Sequence, residues 1–233
     1  MSKYKYLITA SLGLLLLTTS CTKDLNRSPI TDETSESVYK DPAKIKGVLG
    51  KLYGGLSLSG QSTDGKTDDI KSNDGGTTVY FRNYWTSQEL TTDEAVIAWA
   101  DGDLPSLHTM TWSASNDKLK YWYARINYEA GLCNEFLRQT SDDKMAANGI
   151  TGTDLDNVHT YRLEARFLRA LAYWHGVDNY GSIPMVTEND PVGAFKPKQS
   201  SRADIYAFVE SELKAIESAL PAPRANEWGR ADQ

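Results

Sequence analysis

The most strongly patterned segment of the chain reads Tyr161-Arg-Leu-Glu-Ala-Arg-Phe-Leu-Arg-Ala-Leu-Ala-Tyr-Trp174, and Asn179-Tyr-Gly-Ser-Ile-Pro184 follows it closely. Apolar residues recur here every three or four positions, which is the spacing that keeps them on one face of an α-helix. The same spacing predicts a helix over residues 153–179. Gly181 can adopt the left-handed conformation that ends a helix, and Pro184 prevents its continuation.

Three further segments have helical spacing. The first begins at Asp41-Pro42, where Asp caps and Pro starts a helix, and its apolar residues continue to Leu56. The second covers residues 116–138, and the third runs from the capping sequence Ser201-Arg-Ala-Asp204 to Pro221. A short helix is predicted near residues 93–99. Because no segment sustains an alternation of apolar and polar residues, we predict a mostly α fold of antiparallel helical hairpins.

The composition excludes two classes of protein. The 233 residues include 25 Lys and Arg against 31 Asp and Glu, a formal net charge of −6, whereas nucleic-acid binding requires clustered positive charge. Outside residues 1–20, no apolar run approaches the roughly 18 residues that span a bilayer, which excludes a polytopic membrane protein. Cys133 lies within a helical apolar pattern, so we expect a buried thiol rather than a disulfide partner of Cys21.

The N-terminus is organised as an export signal. Lys3 and Lys5 precede an apolar stretch, Leu7–Leu17, and small polar residues lead to Cys21. The stretch is too short to cross a membrane, which is typical of a signal peptide over residues 1–20. The cysteine predicts a bacterial lipoprotein acylated on Cys21; the alternative is a plain secretory signal that contains a cysteine. We expect a lipid-anchored tether over residues 21–40 and a folded domain over residues 41–233.

Two chemical motifs lie in the polar loop over residues 60–76. Gly60–Thr67 matches the phosphate-binding pattern G-x-x-x-x-G-K-[ST], but that pattern functions between a buried strand and a helix, and here a helix precedes it. The aspartates that follow lack the spacing of a calcium-binding loop, because Ile70 would occupy a ligand position. We therefore expect solvated loop charge at this place, and neither a metal nor a cofactor.

The sequence contains no catalytic signature. The 3 histidines are too scattered to indicate a metal site or a nucleophile–base pair. Five acids could supply a carboxylate pair for glycoside hydrolysis, but sequence spacing does not reveal the required geometry. These acids are Glu89, Asp93, Glu94, Asp101 and Asp103. We predict that the protein is not an enzyme, with an acid-pair glycosidase as an alternative.

Aromatic residues are concentrated between residues 77 and 112. Exposed aromatic rings stack on the flat C–H faces of sugars while neighbouring polar groups bind the hydroxyls. Trp99 is the strongest candidate because it precedes a polar loop in which Asp101 and Asp103 are candidate hydroxyl ligands. Tyr84 and Trp85 are further candidates for a glycan-binding site. The alternative is that these aromatic side chains belong to the core.

Several segments together carry a family resemblance. They are the helix and turn of residues 161–184, Cys21 with Lys23-Asp-Leu25 and Pro29, Thr91-Thr-Asp-Glu94, Trp99-Ala-Asp-Gly102 and Gly229-Arg-Ala231. The helix and turn are similar to the pattern EaRFLRAlaYw…yGxxP of the SusD/RagB lipoproteins of Bacteroidetes. The chain as a whole resembles the N-terminal part of that family.

The resemblance implies tetratricopeptide-like helical pairs whose loops form a glycan-binding face. It also implies binding of oligosaccharides without cleavage, a lipid anchor at the surface of the outer membrane, and a SusC-like TonB-dependent transporter as partner. In starch-binding members, a Trp at the position of Trp99 contacts the sugar together with an Asn three residues later. Gly102 stands at that place here, so Asp101 or Asp103 would have to substitute, and starch is a first expectation only.

Two expectations follow from the same comparison. Because family members are longer than this chain, we expect an N-terminal portion that lacks part of the binding face. The helical hairpins alone also support a competing hypothesis, an interaction scaffold that binds a protein and no sugar.

Overall fold

The computed structural model describes residues 33–60, 68–72, 76–193 and 195–233. The predicted signal peptide, Cys21, the predicted tether up to residue 32 and most of the Gly60–Thr67 pattern lie outside these residues. The described part consists of helices and loops, without a β-strand, which confirms the predicted mostly α class. The helices are α1 (Ser35–Val38), α2 (Pro42–Gly55), α3 (Tyr80–Glu89), α4 (Leu104–His108), α5 (Asp117–Gln139), α6 (Asp142–Ala147), α7 (Gly152–Tyr180) and α8 (Arg202–Ile216), followed by a 3-10 helix at Glu217–Ala219.

The chain divides into two compact units, Met1–Ser37 and Val38–Gln233. Of the first unit the structure describes residues 33–37, where the backbone amides of Thr34 and Ser37 each donate to the other residue's hydroxyl oxygen, at 3.0 and 3.2 Å. None of the helices in the described ranges is both long enough and apolar enough to cross a membrane.

The helix ends confirm the local chemistry predicted from the sequence. The Asp41 carboxylate accepts the backbone amide of Ala43 at 2.9 Å and begins α2. At α8, the Ser201 hydroxyl accepts the amide of Asp204 at 3.1 Å, and the Asp204 carboxylate accepts the amide of Ser201 at 3.4 Å. Gly181 ends α7 with a φ of 71°, a conformation that costs glycine little.

The core of the second unit is built around α7, which packs against α5, α8 and α2. Aliphatic and aromatic side chains from these helices form one continuous apolar cluster. Cys133 is fully buried there as a free thiol, as predicted. Met145, on the short helix α6, is also buried there.

The predicted helix near residues 93–99 is wrong. Instead, α3 precedes this segment and α4 follows it, and residues 95–100 have no regular structure. Ala95 and Ile97 both pack against a small apolar cluster, here called the loop cluster. It consists of Leu90, Leu104 and Leu107. Residues two apart point the same way on an extended chain but about 200° apart around a helix, so the contact of these two partly buried side chains with one cluster fits an extended segment.

Asp69 is not the solvated loop charge that the sequence predicts. Its carboxylate is largely buried and lies 3.3 Å from the guanidinium of Arg125. Arg125, on α5, is fully buried and also donates to the backbone oxygens of Thr78 at 2.6 Å and Ser59 at 3.1 Å. A buried guanidinium requires several acceptors and a counter-charge, and these requirements bring Asp69 inside.

Candidate functional site

A cavity of about 320 Å³ lies where three parts of the second unit meet. Its lining residues are Thr77 and Arg82 around the start of α3, Asp101, Gly102 and Asp103 before α4, and Asp117, Lys118 and Tyr121 at the start of α5. The structure therefore brings two of the sequence-predicted candidates, Asp101 and Asp103, to one cavity. It adds lining residues that the sequence does not predict for the site, among them Arg82 and Tyr121.

The two candidate carboxylates have different environments. The Asp101 side chain is exposed, and its backbone oxygen accepts the amide of Leu104 at 3.2 Å across a turn in which Gly102 has a φ of 48°. The Asp103 carboxylate accepts the backbone amide of Asp117 at 2.5 Å, at the first residue of α5. Asp103 is thus already engaged in holding a helix end, while Asp101 is available to a ligand.

The charges in the cavity are mixed. Arg82 and Lys118 contribute positive charge, and three aspartates contribute negative charge. The ring of Tyr121 is mostly buried and forms an apolar wall. A cavity with hydrogen-bond donors, acceptors and one aromatic wall suits a small polyhydroxylated ligand better than a strongly charged one.

Trp99 is 59% exposed in the irregular segment just before the cavity loop. It does not line the cavity, and only Ala100 separates it from Asp101 in the chain. Val96, in the same segment, is also exposed, whereas Ile97 is anchored in the loop cluster. The contact of Ile97 with the loop cluster therefore restrains the backbone near Trp99, while the indole ring faces solvent.

Tyr84 and Trp85 lie on α3 but face different surroundings. Trp85 is 49% exposed. Tyr84 packs against the core, with its ring centroid 4.6 Å from that of His175. The Tyr80 hydroxyl and Nδ1 of His175 form a hydrogen bond of 2.7 Å. Burial lowers the pKa of His175 to about 4, so this histidine is neutral at pH 7. Neither Tyr84 nor Trp85 lines the cavity.

The histidines and acids of the described ranges form no metal centre: no group of three or more His, Cys, Asp and Glu side chains there is placed to hold an ion. The proposed carboxylate pair for glycoside hydrolysis also lacks support at the cavity, because one member, Asp103, is bonded to the end of α5. What the arrangement offers is binding through hydrogen bonds and ring stacking.

A sequence signal for Arg82 existed but depended on recognising α3. Tyr80, Asn83, Thr86 and Leu90 are buried at helical spacing, and this spacing places Arg82 at the edge of the buried face. The buried positions are occupied by polar as well as apolar residues. For this reason a count of apolar residues alone gives poor periodicity over residues 77–112.

The helices and cavity together define a tetratricopeptide-like binding scaffold. The chain is SusD-like. It is 33% identical over 238 residues to the starch-binding protein SusD of Bacteroides thetaiotaomicron, an alignment that covers all of this chain and 40% of that protein. This chain therefore spans well under half the length of that curated relative.

Solved structures show the same fold. A SusD homolog from Bacteroides thetaiotaomicron has a TM-score of 0.61 at 17% identity, covering 90% of this chain and 36% of the other. A surface glycan-binding protein from Bacteroides uniformis has a TM-score of 0.60 at 17% identity, covering 82% and 39%. A SusD-like carbohydrate-binding protein from Bacteroides fragilis has a TM-score of 0.55 at 19% identity, covering 84% and 35%. No protein-family profile matches the chain.

Proposed function

We propose that this chain belongs to a surface-exposed glycan-binding lipoprotein that captures oligosaccharides without cleaving them. The observation that supports this most is the exposed Trp99 directly before a mixed-charge cavity that Asp101 and Arg82 line. A sugar presents a C–H face to an aromatic ring and hydroxyls to polar groups. The names of the relatives, a starch-binding and a surface glycan-binding protein, indicate the same class of ligand.

The glycan contacts we propose are Trp99 by ring stacking and Asp101 by hydrogen bonding, with Arg82 and Tyr121 at the cavity wall. Trp85 remains a candidate on the neighbouring surface. Starch is the first glycan to test because the curated relative binds it by name. Gly102 replaces the amide side chain expected three residues after Trp99, so a different glycan is equally compatible with the cavity.

Affinity electrophoresis of the purified chain through gels that contain different polysaccharides tests this proposal. We expect retardation by at least one polysaccharide, and Trp99→Ala should raise the dissociation constant by about tenfold or more if the ring anchors the sugar. Trp112→Ala is the matched control, because Trp112 is exposed and outside the cavity lining like Trp99 but does not adjoin the loop 101–103 in the chain. Equal retardation of wild type and Trp99→Ala would remove Trp99 from the site, and retardation by no polysaccharide would contradict glycan binding by this chain.

The anchor and the transporter are part of the same proposal. Acylation of Cys21 would hold the protein at the outer membrane, since each buried methylene contributes about 0.8 kcal/mol. A SusC-like TonB-dependent transporter would import the captured oligosaccharide. Cys21→Ser should release the protein from the membrane fraction, and the wild-type protein purified from its host membrane should bring the transporter with it.

A second candidate function is a protein-binding scaffold without sugar affinity. The observation that favours it is an apolar ridge on α3, where Phe81 and Trp85 are about half exposed one helical turn apart. Trp85→Ala separates the two candidates. As a sugar contact, Trp85 should contribute to retardation in the gels; as part of a protein interface, its loss should weaken capture of the transporter and leave retardation unchanged.

A further inference from the structure

Asn116 directly precedes Asp117, one of the residues that line the cavity, and is 3% exposed. Its side-chain oxygen accepts the backbone amide of Leu119 at 3.1 Å, which caps α5. Its side-chain nitrogen donates twice, to the backbone oxygen of Asp103 at 3.2 Å and to the hydroxyl of Ser106 at 3.0 Å. The cap requires only the acceptor, so the two donated bonds serve another purpose.

The bond to Asp103 joins two walls of the cavity, while the bond to Ser106 reaches α4 next to that loop. One wall is the loop 101–103, and the other is the start of α5, which contributes Asp117, Lys118 and Tyr121. The Asp103 carboxylate adds a second bond between the same walls through the amide of Asp117. The Ser106 hydroxyl donates to the Asp103 backbone oxygen at 2.7 Å, which completes the group.

We propose that Asn116 is a positioning residue for the glycan site: its side-chain amide fixes the loop that carries Asp101 at a set distance from the start of α5. Asn116 does not line the cavity, and its side-chain oxygen and nitrogen are both engaged. It therefore acts on a ligand only through the loop. The same bonds hold the backbone that leads back to Trp99, so the amide also restricts where the exposed ring can stand.

The proposal rests on the proposed glycan binding for its affinity measurement, but not for its structural measurement. Asn116→Asp keeps the shape and the capping oxygen while it removes both donated bonds. Asn116→Ser keeps a good helix cap without introducing a charge. If Asn116 serves only as a cap, both variants should behave as wild type.

The first measurement is hydrogen exchange of the ligand-free protein. The Leu104 amide, which closes the 101–104 turn, should exchange about tenfold faster in both variants once the donated bonds are lost. The Leu119 amide should keep its protection, because the cap remains. Unchanged exchange at Leu104 would overturn the proposal whether or not the protein binds sugar.

The second measurement is the dissociation constant for maltoheptaose, or for the polysaccharide that retards the wild type. We expect it to rise about five- to tenfold in both variants, with little change in melting temperature. Asn148→Asp is the control, since Asn148 also donates its side-chain amide to a backbone oxygen, that of Tyr39 at 3.0 Å, far from the cavity lining. Faster exchange with an unchanged dissociation constant would show that the bonds from Asn116 stabilise the loop without affecting ligand binding. That result would overturn the positioning role. If the wild type binds no sugar, the proposed glycan binding is wrong, but exchange at the Leu104 amide still shows whether the Asn116 side chain fixes the loop.

Discussion

Two charged residues are completely buried one turn apart on α5. The Arg125 guanidinium donates hydrogen bonds to several acceptors. The Glu129 carboxyl group is less well satisfied, because one of its oxygens has no hydrogen-bond partner. That oxygen lies so close to Gly55 that a Cβ at residue 55 would collide with it. Burial raises the pKa of Glu129 to about 8, although Arg125 acts in the opposite direction. The folded protein therefore keeps this carboxyl group protonated at pH 7.

Glu129→Gln should make the protein more stable at neutral pH. Below about 4.5, the ordinary value, both folded and unfolded states hold the proton. As the pH rises from there to about 8, the unfolded state releases it while the folded state retains it, so stability falls over this window. The neutral Gln removes that loss and should raise the free energy of unfolding at pH 7 by roughly 3 kcal/mol. Urea unfolding at several pH values measures the slope.

Glu135→Gln is the control on the same helix. Burial raises the pKa of Glu135, but hydrogen bonds from Gln139 and Arg138 outweigh burial and lower it overall. Its charged form is favoured in the folded protein, so the Gln variant should be neutral or less stable at pH 7. Identical pH slopes for wild type and Glu129→Gln would contradict the assignment of the pH dependence to this carboxyl group.

The position of Glu129 could have been predicted from spacing, but its residue type argues the other way. Trp122, Ile126, Glu129 and Cys133 follow one another at intervals of four, three and four residues and all face the core. A pattern search that counts only apolar residues passes over the acid. What no local rule supplies is the environment, because the collision with Gly55 and the acceptors of Arg125 come from other segments.

The loop cluster shows how one small element can control the site. Leu107, on α4, is 1% exposed and packs in a cluster separate from the main core. Leu107→Ala should cost about 2 kcal/mol locally, at the lower end for leucine truncation. We expect faster hydrogen exchange over residues 91–112 and weaker glycan binding, because Ile97 would no longer anchor the segment that carries Trp99.

Leu168→Ala in the main core provides the comparison. Leu168 belongs to α7 and contributes to the large cluster, so its truncation should lower protection throughout the second unit. If Leu107→Ala also raises exchange evenly across α5 and α7, the loop cluster is not a separately opening element. The measured contrast between the two variants decides this.

Prediction succeeded at this scale where the chemistry is local. Asp41 and Ser201 each cap a helix with their own side chain, and each signal lies within three residues. Between residues 77 and 112 the sequence pattern does not predict α3, and the helix that it predicts near residues 93–99 is wrong. There the conformation depends on Ala95 and Ile97 meeting leucines from both flanking segments, which a local propensity does not include.

At the scale of the whole molecule, a buried acid connects the C-terminal segment to the core. The Glu164 carboxylate, on α7, accepts the Arg230 guanidinium at 2.5 and 3.0 Å and the Tyr53 hydroxyl of α2 at 2.7 Å. The Ala231 amide in turn donates to the Tyr53 oxygen at 2.9 Å. Glu164 therefore connects α7, α2 and the final residues, and the Gly229-Arg-Ala231 sequence is explained by this contact.

Removal of Arg230 tests that connection. Arg230→Met leaves the buried Glu164 carboxylate without its counter-charge, which should destabilise the protein by about 3 kcal/mol. Adding Glu164→Gln removes the unpaired charge, so the double variant should be more stable than Arg230→Met alone. Urea unfolding of wild type, both single variants and the double variant gives the coupling energy.

The pair Lys46 and Glu227 supplies the matched control for the same attachment. It joins α2 to the C-terminal segment at 2.5 Å, but its side chains are 46% and 60% exposed, so Lys46→Gln should change the free energy of unfolding by no more than about 0.5 kcal/mol. Both ion pairs attach the C-terminal segment, Arg230 to Glu164 of α7 and Glu227 to Lys46 of α2, and the second pair is much more exposed than the first. If the Arg230 and Glu164 variants proved additive, Glu164 would tolerate its charge unpaired, and the attachment would have to depend on Tyr53 and the backbone of residues 226–231 instead.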